Sequence, residues 1–309
     1  MTSDCSQVPW SDEQWARVNS VIQEEANRAR VGAAFLPLIG PLPPDTDFVR
    51  TEAILPPLPP PPPPPPPLPP PALTIEDRTT IQLATLQVNV NLRGAQMADP
   101  ELTSALSLFR RAANVLARLE DAVIFLGLRG PGLGGRYRAG ANGIVAPPGI
   151  GMIEQVGRIP HGEANRGLWA PFANVVNLLP LGGINGNTLV QAVSASIGQL
   201  EGRGHFGPFA VVLDHLLFIW AQTPAPGLAL PQDRIIPFLG GGPLLRSSAL
   251  PPNTGVVVAL GGAPIELVVA SDMSLQFLQL TAAPVFFFRV FEKIVLRVKQ
   301  PDAINAIMP

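Results

Sequence analysis

Between Pro56 and Pro71 the chain carries fourteen prolines and two leucines, and no other stretch restricts its folding so severely. Proline has no backbone N–H and holds φ near −65°, so such a run can donate nothing to a helix or a sheet ladder. It has to run as polyproline II, at about 3.1 Å per residue, hence about 50 Å if fully extended. The fold must therefore let this segment out. Strand-like segments flank it: Val49–Ile54 before, and Ile75 through Val90 after. In the second, Leu86, Val88, Val90 and Leu92 alternate with Gln87, Asn89 and Asn91. Two strands joined by a stiff protruding loop is the simplest picture. The loop is either a ligand for a polyproline-reading domain or a plain spacer, and composition favours the spacer.

Charge is scarce elsewhere too. Only 14% of the 309 residues are Asp, Glu, Lys or Arg, while 47% are apolar; an ordinary soluble domain carries roughly 25% charged residues. A membrane protein, an aggregating chain and a subunit covered by its own copies would each have this profile. The longest charge-free stretch, Gly167–Leu200, is long enough to span a bilayer. It is interrupted by Pro171, Pro180, Gly182, Gly183, Gly186 and four asparagines, which rules out a continuous apolar helix. No basic-then-apolar leader precedes Trp10, and the single cysteine, Cys5, excludes an intrachain disulfide and favours the cytoplasm. Self-association remains, because large obligate interfaces resemble a domain core cut in half. A net charge of −2 offers no basic surface for nucleic acid.

Two helices stand out. Residues 11–30 have Ser11 and Gln14 at capping-box spacing, then Trp15, Val18, Ile22, Ala26 and Ala29 along one stripe, with Glu24, Glu25 and Arg28 opposite. A longer helix is expected from Asp99 as N-cap and Pro100 as first helical residue to about Gly127, burying Leu102, Leu106, Phe109, Ala113, Leu116 and Val123. From about 131 to 260 the chain is rich in glycine and proline, with short apolar runs such as Phe209–Leu213 and a helix over Asn187–Gly198. From Val256 onward it reads as strands: VVVAL, IELVVA, SLQFLQL and APVFFFRVFEKIVLRV. The whole reads α+β, with a long helix on antiparallel sheet.

Motifs for chemistry are weak. Gly130-Pro131-Gly132-Leu133-Gly134-Gly135 spells GxGxxG, but it follows a helix and leads into non-helical sequence, so a loop is the reading and a nucleotide enzyme gains little from it. His161, His205 and His215 lack zinc-site spacing. Asp214 beside His215 is read as strand neighbours facing opposite ways, and Glu120 and Asp121, adjacent on a helix, do not face each other. No catalytic group, cofactor or metal is expected.

Several stretches in order resemble the encapsulin shell proteins, whose subunits are similar to tailed-phage major capsid proteins. These are WSDEQWARVNSVIQEEANR, FLPLIGPLPP, RLEDAVIFLG, GHFGPFAVVLDHLLFIW and GGAPIELVVASDMSLQFL, followed by APVFFFRVFEKIVLRVKQPDAI. The family's Gly-Gln-Asp is replaced by Ala270-Ser271-Asp272, its tyrosine by Phe277, and a further strand motif by Glu292-Lys293-Ile294. The resemblance implies a phage major-capsid-like fold: N-terminal helix 1–33, connector 34–48, extended loop 49–85 with the polyproline insertion 56–71, peripheral domain 86–130 with the spine helix, axial domain 131–255, and closing peripheral strands 256–309. It also implies an icosahedral homo-oligomeric shell, enclosing a ferritin-like or peroxidase cargo held by a short C-terminal targeting peptide. Positions matching the family's cargo site are Phe35, Leu36, Leu38, Leu275 and Phe277; its charged positions are here Ala33 and Pro37, so docking would be mainly hydrophobic. The loop Gln222–Asp233 corresponds to the family's five-fold opening, lined here by Thr223, Pro224, Pro226 and Leu228 and mostly uncharged. The alternatives are a prophage-type capsid protein packaging DNA, and a scaffold using the proline run as an adaptor.

Overall fold

A computed structural model describes residues 8–55, 74–127, 138–140, 143–146, 151–154, 167–169, 174–178, 183–224 and 229–309. The first helix, α1, spans Asp12–Ala29, and its capping box forms as expected: Ser11 Oγ accepts from the Gln14 amide at 3.3 Å, and Gln14 Oε1 accepts from the Ser11 amide at 3.0 Å. Val18, Ile22 and Ala26 are buried, with Trp15 and Ala29 half-buried beside them. Glu25, expected on the outer face, is buried instead, accepting from Arg28 and from Asn114 Nδ2 at 3.1 Å. After a short helix, α2 (Gly94–Met97), the long helix α3 runs from Thr103 to Leu126. It starts later than expected. Leu102 takes φ 51° and buries its side chain completely, which breaks the helix between Pro100 and Thr103. Asp99 still caps it, accepting from the Glu101 and Thr103 amides at 3.0 and 2.9 Å. The whole expected stripe of α3 is buried, and Gly127, at φ 71°, ends it.

Two sheets carry the fold. The seven-stranded sheet has the order β1 (Leu38–Ile39), β14 (Ile265–Leu280), β15 (Val285–Val298), β6 (Ala84–Arg93), β9 (Gly151–Glu154), β8 (Gly143–Ala146), β7 (Arg138–Gly140). Its inner face presents Leu86, Val88, Val90, Leu92, Phe288, Val290 and Ile294 to α1 and α3, as strand alternation requires. Trp10 stacks on Phe288 at 5.1 Å, and Phe109 meets the same ring edge-on at 5.7 Å. Two expected strands prove to be one: β14 is sixteen residues long, with register shifts between Val269 and Ser274. Those bulges bend the strand without ending it, and they turn Asp272 toward the end of α1.

The five-stranded sheet has the order β10 (Val175–Asn177), β16 (Ile304–Met308), β13 (Gly255–Ala259), β11 (Phe209–Leu213), β12 (Leu244–Arg246). It packs under α4 (Gly186–Gly202), α5 (His215–Gln222) and α6 (Pro231–Ile235). The segment 256–309 thus divides between the two sheets: β14 and β15 close the first, whereas β13 and β16 sit inside the second. Their burial explains the difference. All of β13 and most of β16 are buried on both faces, so they read as unbroken apolar runs with no alternation to assign them. Two ribbons lie outside the sheets. β2 (Phe48–Arg50) pairs with β5 (Thr80–Gln82), and β3 (Ala53–Leu55) pairs antiparallel with β4 (Thr74–Glu76), so the strands flanking the proline run do meet.

Candidate assembly and docking surfaces

Where α1 ends, Arg30 reaches into the molecule and meets three carboxylates. Its Nε donates to Glu120 Oε2 at 2.6 Å, and its Nη2 donates to Glu292 Oε2 at 2.7 Å and Asp272 Oδ1 at 2.8 Å. Glu120 and Glu292 are wholly buried, while Asp272 stands at the rim. On the next residue of α3, Asp121 accepts from the amides of Val31 and Gly32 at 3.0 and 2.8 Å. A Cβ on Gly32 would lie 2.5 Å from Ile124 Cδ1, so a larger residue there would have to push that side chain aside. Glu120 and Asp121 do not face each other, as adjacent helix positions predict; their burial has no sequence signal, because each looks like an ordinary helix-surface acid. Burial opposes charge on Arg30, yet Glu292, Glu120 and Asp272 outweigh it and raise the guanidinium's pKa. Burial and the neighbouring Glu292 push Glu120 well above the usual carboxylate range. Burial lifts Asp121 to about 7 against the two amide donors, and lifts Glu292 to about 7 against Arg30. The cluster is a clasp that fixes where the connector leaves α1.

Four of the five residues expected at a docking site join this part of the core. Leu36 and Phe277 are buried in it; Phe35 and Leu275 are half-buried against it. Leu38 stands apart. It is 57% exposed on β1, opposite Leu267, eight residues along β14 from Leu275 and thus about 26 Å away. Gly40 ends that edge strand at φ 135°, where a Cβ would strike the Val269 carbonyl at 2.1 Å.

At the far end of the fold, the free side of α5 carries Leu216, Ile219 and Trp220 at helical spacing, all exposed. The 3₁₀ turn that follows α6 adds Ile236 and Phe238, about half exposed. Five large apolar side chains on these two elements are thus left to water, with Asp233 and Arg234 of α6 exposed beside the second group.

A family model described as an encapsulating protein for peroxidase matches residues 3–151 and 174–295. The chain belongs to this family, the encapsulins. The type 1 encapsulin shell protein EncA of Myxococcus xanthus is 26% identical over 299 residues, 96% of this chain and 92% of that protein. The virus-like particle of Pyrococcus furiosus superposes with a TM-score of 0.63 at 14% identity, over 96% of this chain and 99% of the other. The capsid of Myoviridae phage XM1 does so at 0.50 and 11% identity, over 77% of each. The fold is the phage major-capsid type, and this encapsulin is a shell-forming compartment subunit that self-assembles.

Encapsulins are structural rather than catalytic proteins, and the remaining motifs of this one fall into place locally. Asp214 and His215 are not strand neighbours: Asp214 is the N-cap of α5, accepting from the Leu216 and Leu217 amides at 3.0 and 2.9 Å. His205 faces Asp302 at 3.2 Å. Thr223 Oγ1 donates to the Ile219 carbonyl at 2.8 Å, and Thr223 and Pro224 are exposed at the end of α5. Pro226, Leu228, His161 and the glycine-rich stretch 130–135 lie outside the described residues. Among the described residues no helix is long and apolar enough to cross a membrane.

Proposed function

We propose that copies of this encapsulin close into an icosahedral shell in the cytoplasm, on the order of sixty subunits or a multiple, around a ferritin-like or peroxidase cargo, and that the subunit itself catalyses nothing. The observation that carries the reading is the exposure of Leu216, Ile219, Trp220, Ile236 and Phe238 on a chain with only 14% charged residues. Exposed large apolar side chains of this kind mark contact surfaces, and these flank the loop 222–233 in sequence, within the stretch 131–255 that the family likeness makes the axial part. There Thr223, Pro224, Pro226 and Leu228 would line an uncharged opening. The cargo's C-terminal peptide would meet Phe35, Leu38 and Leu275, with Leu36 and Phe277 supporting them from beneath.

Electron microscopy of the purified protein tests the shell directly, and mass spectrometry of what co-purifies inside it identifies the cargo. Closed particles with a protein-like absorbance ratio support the reading. Particles full of DNA would favour the prophage-capsid alternative, which a net charge of −2 does not favour.

A further inference from the structure

The docking site is drawn from two stretches far apart in sequence: Phe35 and Leu36 on the connector, and Leu275 and Phe277 on β14. Each begins within a few residues of the ionic clasp. On the connector side, Arg30 to Leu36 is one tightly wound piece. Asp121 accepts from the Val31 and Gly32 amides. The Ala34, Phe35 and Leu36 amides donate back to the Val31 and Gly32 carbonyls at 3.1 to 3.3 Å. Phe35 therefore moves with Arg30. On the strand side the usual support is interrupted. β14 is in register with β15 at Ser271, opposite Lys293, and again at Ser274, opposite Phe291. Asp272 and Met273, between them, have no partner residue in that ladder, so strand pairing does not fix the shape of the bulge. The end of α1 holds it instead. Gln23 Nε2 donates to the Met273 carbonyl at 2.6 Å. Arg30 Nη2 donates to Asp272 Oδ1, and the same oxygen accepts from the Met273 amide at 2.7 Å. Leu275 follows two residues later.

One guanidinium thus joins the two halves. Its Nε reaches Glu120 on α3, and the two hydrogens of its Nη2 reach Glu292 on β15 and Asp272 on the bulge. Glu120 and Glu292 belong to wholly buried stretches of the core and give Arg30 a rigid footing, whereas Asp272 stands on the exposed side of the bulge. We infer that Arg30 is a positioning residue for the docking site, setting the Phe35 half and the Leu275 half in one fixed arrangement; this role rests on the docking reading above. The planar fork is what allows it, since two nitrogens at a set angle serve three carboxylates from three elements at once. A coupling of this kind acts in both directions. Loosening the bulge loosens the connector, although the two are more than two hundred residues apart in sequence.

Hydrogen exchange and cargo content, measured on particles purified from the native host, test this together. Asp272→Ala cuts the tie at its exposed arm, where folding has least to lose. The amides of residues 31–36 should then exchange roughly ten-fold faster, although the substitution lies on another strand. The probe for docking is the protein that mass spectrometry finds inside wild-type particles, and its ratio to shell should fall by roughly the same factor. Asp272→Asn keeps an oxygen that can accept from Arg30 and should restore both. Arg30→Lys keeps the cation beside the buried carboxylates but offers one nitrogen in place of the fork, and should behave as Asp272→Ala does. Exchange in Phe209–Leu213 of the second sheet should stay unchanged throughout. Unaltered exchange at 31–36 in both Asp272→Ala and Arg30→Lys, or faster exchange with undiminished cargo, would overturn the role of Arg30. Wild-type particles that hold no second protein would overturn the docking site itself, and this role with it.

Discussion

The seven-stranded and five-stranded sheets each pack under helices, yet among the described residues only the first buries a cation together with its carboxylates. Its core holds Arg30, Glu120, Glu292 and Asp121 within a shell of leucine, valine and phenylalanine. The second core is Leu189, Val193, Ile197, Phe209, Val211, Leu213, Val257 and Ile307, and its buried carboxylate, Asp214, meets the backbone amides of Leu216 and Leu217 rather than a cation. Asn305 there donates to the Ser196 carbonyl at 2.9 Å. Buried ion clusters add little net stability compared with apolar packing, but breaking one is costly. The difference therefore concerns position. The first core must hold an incoming helix and its connector in one place, whereas the second only has to be solid beneath a surface that other copies cover.

Removing the single cation should have the largest effect. At pH 8, above the value of about 7 to which burial lifts Glu292, Arg30→Ala leaves that carboxylate buried without a counter-ion, and we expect a loss of about 3–5 kcal/mol in urea unfolding; an unchanged midpoint would mean that the cluster is held as neutral acids even there. Leu213→Ala in the second core should cost about 3 kcal/mol through cavity formation, with the same cost at pH 5 and pH 8. That pH independence is the sharper contrast. Asp121 and Glu292 hold protons up to about pH 7 in the folded chain, whereas unfolded carboxyls release theirs near pH 4. Between those values the folded state binds more protons, so stability should fall as pH rises from 5 to 8, by at most about 1.4 kcal/mol per pH unit per group. Asp121→Asn should flatten that slope in unfolding curves taken across the range. The smallest effect on folding belongs to the exposed apolar residues of α5. Ile219→Lys should shift the unfolding midpoint by less than about 0.5 kcal/mol while sharply reducing particle yield on size exclusion.

Much of this architecture was legible in the residues. Ser11 and Gln14 announced the cap of α1, and the stripe from Leu102 to Val123 announced the buried face of α3, because caps and periodic faces are local signals. The clasp was not legible. Arg30, Glu120, Asp272 and Glu292 come from four separate segments, and nothing near any of them in sequence says that it is buried. The allocation of β13 and β16 to the second sheet was hidden for a related reason: strands buried on both faces lose the alternation that tells one sheet from another. Among the docking residues, Leu36 and Phe277 look the same in sequence as Leu38 and Leu275; only packing separates a core side chain from an available one.

A chain so poor in charge requires further copies of itself to cover its surface. Native mass measurement of the purified protein at micromolar concentration tests that most directly. Sixty copies of a 32.7 kDa chain give about 2 MDa, and closed species of that mass or a multiple are expected. A stable 32.7 kDa species with no larger assembly would contradict that requirement.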